Sequence, residues 1–221
     1  MANMAADRGA ELVLFPELSL TGYSRELTHN DALDPRHVAL EPLAHVSRTR
    51  GIAIVAGSPL ASAAGLLISS ISFFPDGQTA RYSKQHLHAG EEVTFVAGHG
   101  GPLLAIGDRT VGLAICAEIN HPSHIEKTVE RGADVYAASC FLTPAGYEVD
   151  CQRLQAYAKR HGVVVLMANS SGPCGGFESA GGSAIWDDAG KLLAVAPAVG
   201  EYLVIATRNR SGWVGSIPEG A

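Results

Sequence analysis

An α/β fold with mixed sheets is predicted by three observations. Four times along the chain a basic residue and a glycine precede a short apolar run. Two further pairs of apolar runs flank tight-turn residues. One segment carries a helix start signal.

The recurring punctuation is Arg8-Gly9 before Glu11 to Phe15, Arg50-Gly51 before Ile52 to Ala56, Arg131-Gly132 before Ala133 to Ala137, and Arg160-His161-Gly162 before Val163 to Ala168. Each reads as a helix end, with cations facing the negative end of the helix dipole and glycine taking the left-handed position after it. The nearly uninterrupted apolar run that follows is the pattern of a strand buried on both faces. The helix ending at Arg131 has a start signal in Pro122-Ser123, with Glu126 three residues after the serine as a capping box.

Two hairpins break the alternation and make the sheets mixed. Ile68 to Phe74 and Thr79 to Tyr82 flank Pro75-Asp76-Gly77-Gln78, and Ser183 to Trp186 and Leu192 to Ala196 flank Asp187 to Lys191. Asp-Gly and Asp-x-x-Gly between apolar runs turn the chain because glycine accepts a positive φ. Ser170 to Gly182 is glycine-rich but lacks the Gly-Lys-Ser/Thr ending of a phosphate loop and a following helix, so it reads as a connecting loop. The segment after Ala206, with Trp213, reads as an interface element or a loose end.

No repeat, low-complexity tract or linker divides the 221 residues, which are read as one domain over 1–221. With 47% hydrophobic and 17% charged residues the chain is globular. A formal net charge of −6 argues against nucleic-acid binding. No stretch approaches the roughly 18 apolar residues of a membrane helix, so no membrane role is expected. No basic region followed by an apolar one opens the sequence. Cys116, Cys140, Cys151 and Cys174 show neither Cys-x-x-Cys pairing nor a dense spacing, and a reducing cytoplasmic compartment is expected.

Three segments end an apolar run in a reactive side chain: Leu12 to Glu17, Arg81 to Leu87 with Lys84, and Val111 to Glu118 with Cys116. Carboxylate, ammonium and thiol together suit covalent acyl transfer. A neighbouring lysine lowers a thiol's pKa, a carboxylate takes its proton, and the lysine with backbone N–H groups holds the developing oxyanion. Singly, each has a plainer reading: a buried structural thiol, a turn carboxylate, a surface cation. Cys116, His121 and His124, with His86 and His88 near in sequence, match no common zinc spacing.

The stretches "LVLFPELSLTGY", "YSKQHL" and "VGLAICAEINHPSH" resemble, in this order, the three signature motifs of the nitrilase superfamily, the carbon–nitrogen hydrolases. The resemblance continues through "RGADVYAAS", "AKRHGVVVLMANSSG" and "GGSAIWDDAGKLLAVAP". It implies a four-layer α-β-β-α sandwich of two mixed sheets. It also implies a glutamate base at Glu17, an intermediate-stabilising lysine at Lys84 and a cysteine nucleophile at Cys116, with the backbone N–H of Ala117 at the oxyanion. A further active-site glutamate is expected after the lysine motif, Glu91 being preferred to Glu92. The implied reaction is hydrolysis of a small amide through a thioester, with an N-carbamoyl substrate or a non-catalytic binding member as alternatives. Nitrilases usually carry Trp after the cysteine, where this chain has Ala117. The resemblance implies no metal or organic cofactor, and a homo-oligomer. It also leads one to expect a first strand and most of a helix ahead of Met1 to Gly9, about 25 to 30 residues at usual element lengths. Pocket shape is expected from the loops after Tyr23, Glu92, Phe141 and Gly172.

Overall fold

The computed structural model describes residues 1–218. Helix α1 (Ala2–Asp7) leads into β1 (Leu12–Leu14). Helix α2 (Glu41–Arg50) precedes β2 (Ala53–Ser62), β3 (Gly65–Phe73) and β4 (Thr79–Ser83). These strands form one sheet in the order β1-β2-β3-β4, parallel at its first pair and antiparallel at the others. The second sheet contains β5 (Leu104–Ile106), β6 (Arg109–Ile115), β7 (Val135–Cys140) and β8 (Val164–Asn169). Helices α3 (Pro122–Glu130) and α4 (Pro144–His161) make the crossovers that parallel β6, β7 and β8 require. After a small hairpin of β9 (Ser171–Cys174) and β10 (Phe177–Ala180), strands β11 (Ala184–Trp186) and β12 (Leu192–Val195) complete the order β12-β11-β8-β7-β6-β5. A last hairpin, β13 (Ile205–Asn209) and β14 (Gly212–Ser216), follows.

The layering follows from the period-two alternation of strand side chains. On β2, Ala53 and Val55 face a core shared with Leu113, Val135 and Ala137 of the other sheet. Ile54 between them faces the opposite way, onto Ala2 and Ala5 of α1 and the partly buried Leu43 and Ala44 of α2. Beyond the second sheet, Ile125 of α3 and Leu154 and Ala158 of α4 bury against its outer side. Two mixed sheets therefore lie face to face with helices outside. The helix ends are as the punctuation predicts: Gly51 and Gly162 stand immediately after α2 and α4 at φ 67° and 63°.

Four local expectations are corrected. Helix α3 starts two residues earlier than the capping-box reading, with His121 in place of Ser123 at its N-cap, Pro122 in its first turn, and no side-chain cap hydrogen bond. A proline with its fixed φ and missing N–H needs no serine cap. The glycine-rich segment 170–182 is not a plain loop but the β9–β10 hairpin, its tight turn made by Gly175 and Gly176, both at positive φ. Strand β1 is not buried on both faces: Val13 is buried but Leu12 and Leu14 only partly, because β1 has the single neighbour β2 among the described residues. Of the two readings of the segment after Ala206, the loose end is overturned, because β13 and β14 form a hairpin with Trp213 packed under the guanidinium groups of Arg109 and Arg208.

Candidate active site

Three chain segments deliver the reactive groups to one point, and each does so at a break in regular structure. Pro16 interrupts the ladder after β1, and the chain turns at Leu18, which has a positive φ of 49°. That turn presses against Gly57 of β2, whose N–H donates to Ser19 Oγ and whose carbonyl accepts from Leu20 N–H. A Cβ at Gly57 would collide with the backbone of Pro16, Glu17 and Leu18, so only glycine lets the loop come this close. Lys84 directly follows β4 and is held by its own N–H on Ile68 O and by Gly98 N–H on its carbonyl. Cys116 directly follows β6, at φ 43°, where the strand turns into a short 3-10 segment (Cys116–Asn120). Strained left-handed residues at such a strand-to-helix corner aim a side chain out of the sheet.

Lys84 Nζ is the hub. It donates to Glu17 Oε1 at 2.7 Å and to both Glu91 oxygens at 2.9 and 2.8 Å. Glu91 also accepts from Tyr23 Oη at 2.9 Å and from His88 N–H at 2.7 Å, so its acceptor capacity is used. Glu17 differs: its Oε2 is buried without a hydrogen-bond partner. The Cys116 thiol adjoins that carboxylate and lies 3.7 Å from Phe141 O. Glu17, Lys84 and Glu91 are at most 1% exposed and Cys116 is 8% exposed, so the whole cluster is buried.

Burial pushes the Glu17 carboxyl above its ordinary range, an effect that Lys84 opposes and Glu91 reinforces. Burial alone would push the Lys84 ammonium down; the charges of the Glu17 and Glu91 carboxylates outweigh it, and Lys84 stays firmly protonated. The Cys116 thiol is pushed up by burial and by Glu17, with Lys84 countering only in part. This corrects the expectation of a lysine-lowered thiol. The site holds a neutral thiol beside a carboxylate with a free lone pair, not a standing thiolate.

Sequence motifs Glu17, Lys84 and Cys116 are thus brought together, 67 and 32 positions apart for the two pairs that share Lys84. Glu91 joins them from a 3-10 turn (Glu91–Val93), while Glu92 points to solvent. Ala117 is buried in the first turn after Cys116, where helical N–H groups have no intrahelical acceptor. Tyr23, read only as a loop marker, stacks on Phe141 at 4.7 Å, meets Phe177 edge-on at 5.7 Å, and bonds Glu91. Its place directly after the first motif was the available signal. His124 is engaged elsewhere: Tyr82 and Tyr136 hydroxyls hold its two ring nitrogens at 2.7 and 2.9 Å. A cleft of about 1390 Å³ beside β1 reaches Glu17 and Tyr23 but has neither Lys84 nor Cys116 in its walls, so it is not a pocket built over the sulfur.

This arrangement has counterparts. An amidase from Nesterenkonia sp. AN1, solved as a variant bearing the product of Michael addition of acrylamide at its active-site cysteine, superposes with a TM-score of 0.80 at 27% identity, over 90% of this chain and 80% of that one. Another variant of the same amidase, in complex with butyramide, gives 0.79 over 90% and 78%. An (R)-stereoselective amidase of Pseudomonas sp is 28% identical over 196 residues, 87% of this chain and 70% of its own length. A nitrilase of Pyrococcus abyssi is 32% identical over 139 residues, and the match spans about half of that relative, 53%. The family profile described as carbon-nitrogen hydrolase matches residues 1–215, which takes in every element that positions the glutamate, lysine and cysteine. The chain belongs to the carbon–nitrogen hydrolase family.

Proposed function

We propose that the protein hydrolyses the C–N bond of a small amide through a thioester on Cys116. The observation that carries this reading is the asymmetry between the two carboxylates on Lys84. Glu91 is saturated by four hydrogen bonds and can only hold the lysine, whereas Glu17 keeps an unpartnered oxygen beside a protonated thiol. A base needs that free lone pair, and a support does not.

The cycle balances on Glu17. Its carboxylate takes the thiol proton as Sγ bonds the amide carbon, while the Lys84 ammonium and Ala117 N–H hold the oxyanion. Collapse breaks the C–N bond, and the Glu17 carboxylic acid returns the proton to the leaving nitrogen, releasing ammonia or an amine. The same carboxylate then deprotonates water, which attacks the thioester carbon. The second collapse expels the sulfur, which regains its proton from Glu17. The alanine after the cysteine and the amidase relatives favour an amide over a nitrile. An N-carbamoyl compound presents the same C–N bond and is the second substrate class.

The same reading takes residues 1–221 as a single hydrolase domain in a reducing cytoplasm, for which the four unpaired cysteines speak. It also takes the molecule as a homo-oligomer, supported by exposed Leu192, Val195 and Val214 on β12 and β14. Ammonia release from a panel of small amides and N-carbamoyl compounds tests the reaction. The expected result is turnover by the parent and none by a folded Cys116→Ala variant; hydrolysis by that variant within tenfold of the parent would exclude the thioester.

A further inference from the structure

Glu118 is wholly buried two residues after the thiol, and no step of the acyl transfer uses it. Its carboxylate bonds two backbone segments at once. Oε2 accepts from Ile115 N–H at 2.7 Å, and Oε1 accepts from Gln85 N–H at 2.7 Å. Tyr82 Oη donates as well, at 2.9 and 3.0 Å, and His124 Nε2 stands 3.6 Å away. Ile115 immediately precedes Cys116, and Gln85 immediately follows Lys84.

The two segments belong to different sheets. Cys116 ends β6 in the six-stranded sheet, and Lys84 ends β4 in the four-stranded one. Packed sheets can slide on apolar contacts, which set no fixed direction, whereas two charge-assisted bonds to one rigid carboxylate do. The bond to Ile115 N–H also braces the corner that carries Cys116 at its strained φ of 43°. We propose that Glu118 is a positioning residue that fixes the Lys84 ammonium relative to the Cys116 sulfur, by tying the backbone beside each to a single carboxylate across the two sheets. The proposal rests on the acyl-transfer reading of the site.

The test is steady-state kinetics on a responsive amide, scaled to the fraction of Cys116 that iodoacetamide alkylates, as read by peptide mass. Glu118→Gln keeps the length, but its amide has one acceptor for two facing N–H groups, so one segment is released. The expected result is a fall in kcat per alkylatable Cys116 on the order of 10²-fold, the scale of an ångström-sized misplacement, with KM within about threefold. Glu118→Asp retains both oxygens and the charge and should recover part of the lost rate. Tyr82→Phe removes a donor but leaves both backbone bonds, and should stay within about threefold of the parent. Parent-like kcat per alkylatable site in Glu118→Gln, whatever its thermal midpoint, would reduce Glu118 to a folding role and overturn the proposal. A change confined to KM would overturn it too, as would loss of fold in both Glu118 variants. Cys116→Ala on the same amide separates the two claims: if it still turns over, the acyl-transfer reading fails, and if it is inactive while the Glu118 variants behave like the parent, only the positioning role fails.

Discussion

The Lys84 ammonium lies 2.7 Å from Glu17 Oε1, and both side chains are sealed completely from solvent. With Glu91 at 2.8 Å on the same nitrogen, one buried cation answers two buried carboxylates. Charges out of water are tolerable only when paired, so removing the shared partner strands two anions at once. The same nitrogen stands where a tetrahedral oxyanion would need a positive group. Folding and catalysis therefore make demands on one atom.

Lys84→Gln keeps much of the length and removes the charge. A loss of at least about 10²-fold in kcat is expected, the scale of a lost oxyanion donor. The variant should also be less stable than the parent, by more near pH 8 than near pH 5, because the burial-raised Glu17 carboxyl takes up a proton as pH falls. Kinetics and thermal midpoints at the two pH values check this; an effect on KM alone would make Lys84 a binding group only.

Gly57→Ala tests how the base is placed. The added methyl meets the backbone of Pro16, Glu17 and Leu18, not a flexible side-chain end, so the Glu17 loop must move or β2 must shift. Overpacking of this kind costs about 1 to 3 kcal/mol. We expect that loss in denaturant titration together with at least a tenfold drop in kcat. Parent-like values in both would show that the close approach has no consequence for the site.

His124 predicts a pH dependence of stability. Burial lowers its pKa to about 4, with help from the nearby positive groups His86, His121, Lys127 and Arg131. Tyr82 and Tyr136 bond its ring and Glu118 stands 3.6 Å away. The folded pKa is below the ordinary 6.5, so the unfolded chain takes up the proton first. The contribution is intact above pH 6.5 and is lost as pH falls towards 4. Glu118 has the opposite sign: burial raises it to about 7, so its contribution is present below its ordinary 4.5 and is lost as pH rises through 7. The two partly cancel in the parent, and removing one exposes the other. Relative to the parent, His124→Gln should gain about 2 kcal/mol between pH 7.5 and pH 5, roughly 4 to 8 °C in thermal midpoint for a chain of this size. A constant difference across that range would mean that folding does not lower the His124 pKa, and a change of opposite sign would mean that His124 is already charged in the folded protein.

From its amino-acid sequence alone, the order of helices and strands was largely legible, because it rests on local physics. A glycine after a basic helix end needs only its own backbone freedom, and Asp76-Gly77 needs only a turn. Glu17, Lys84 and Cys116 stood out because each ends an apolar run within a motif that keeps its order along the chain. Tertiary structure decided the rest. Glu91 and Glu92 are adjacent and chemically alike, and only the turn that sends one onto Lys84 and the other to solvent separates them. The hairpin of β9 and β10 hides in sequence because glycines weaken its strand pattern. The state of the Cys116 thiol went against the sequence expectation because desolvation, which no spacing encodes, outweighs the neighbouring cation. Glu118 acquires its place only when two sheets pack face to face and set the N–H groups of Gln85 and Ile115 on one carboxylate, residues 30 positions apart that no periodicity connects.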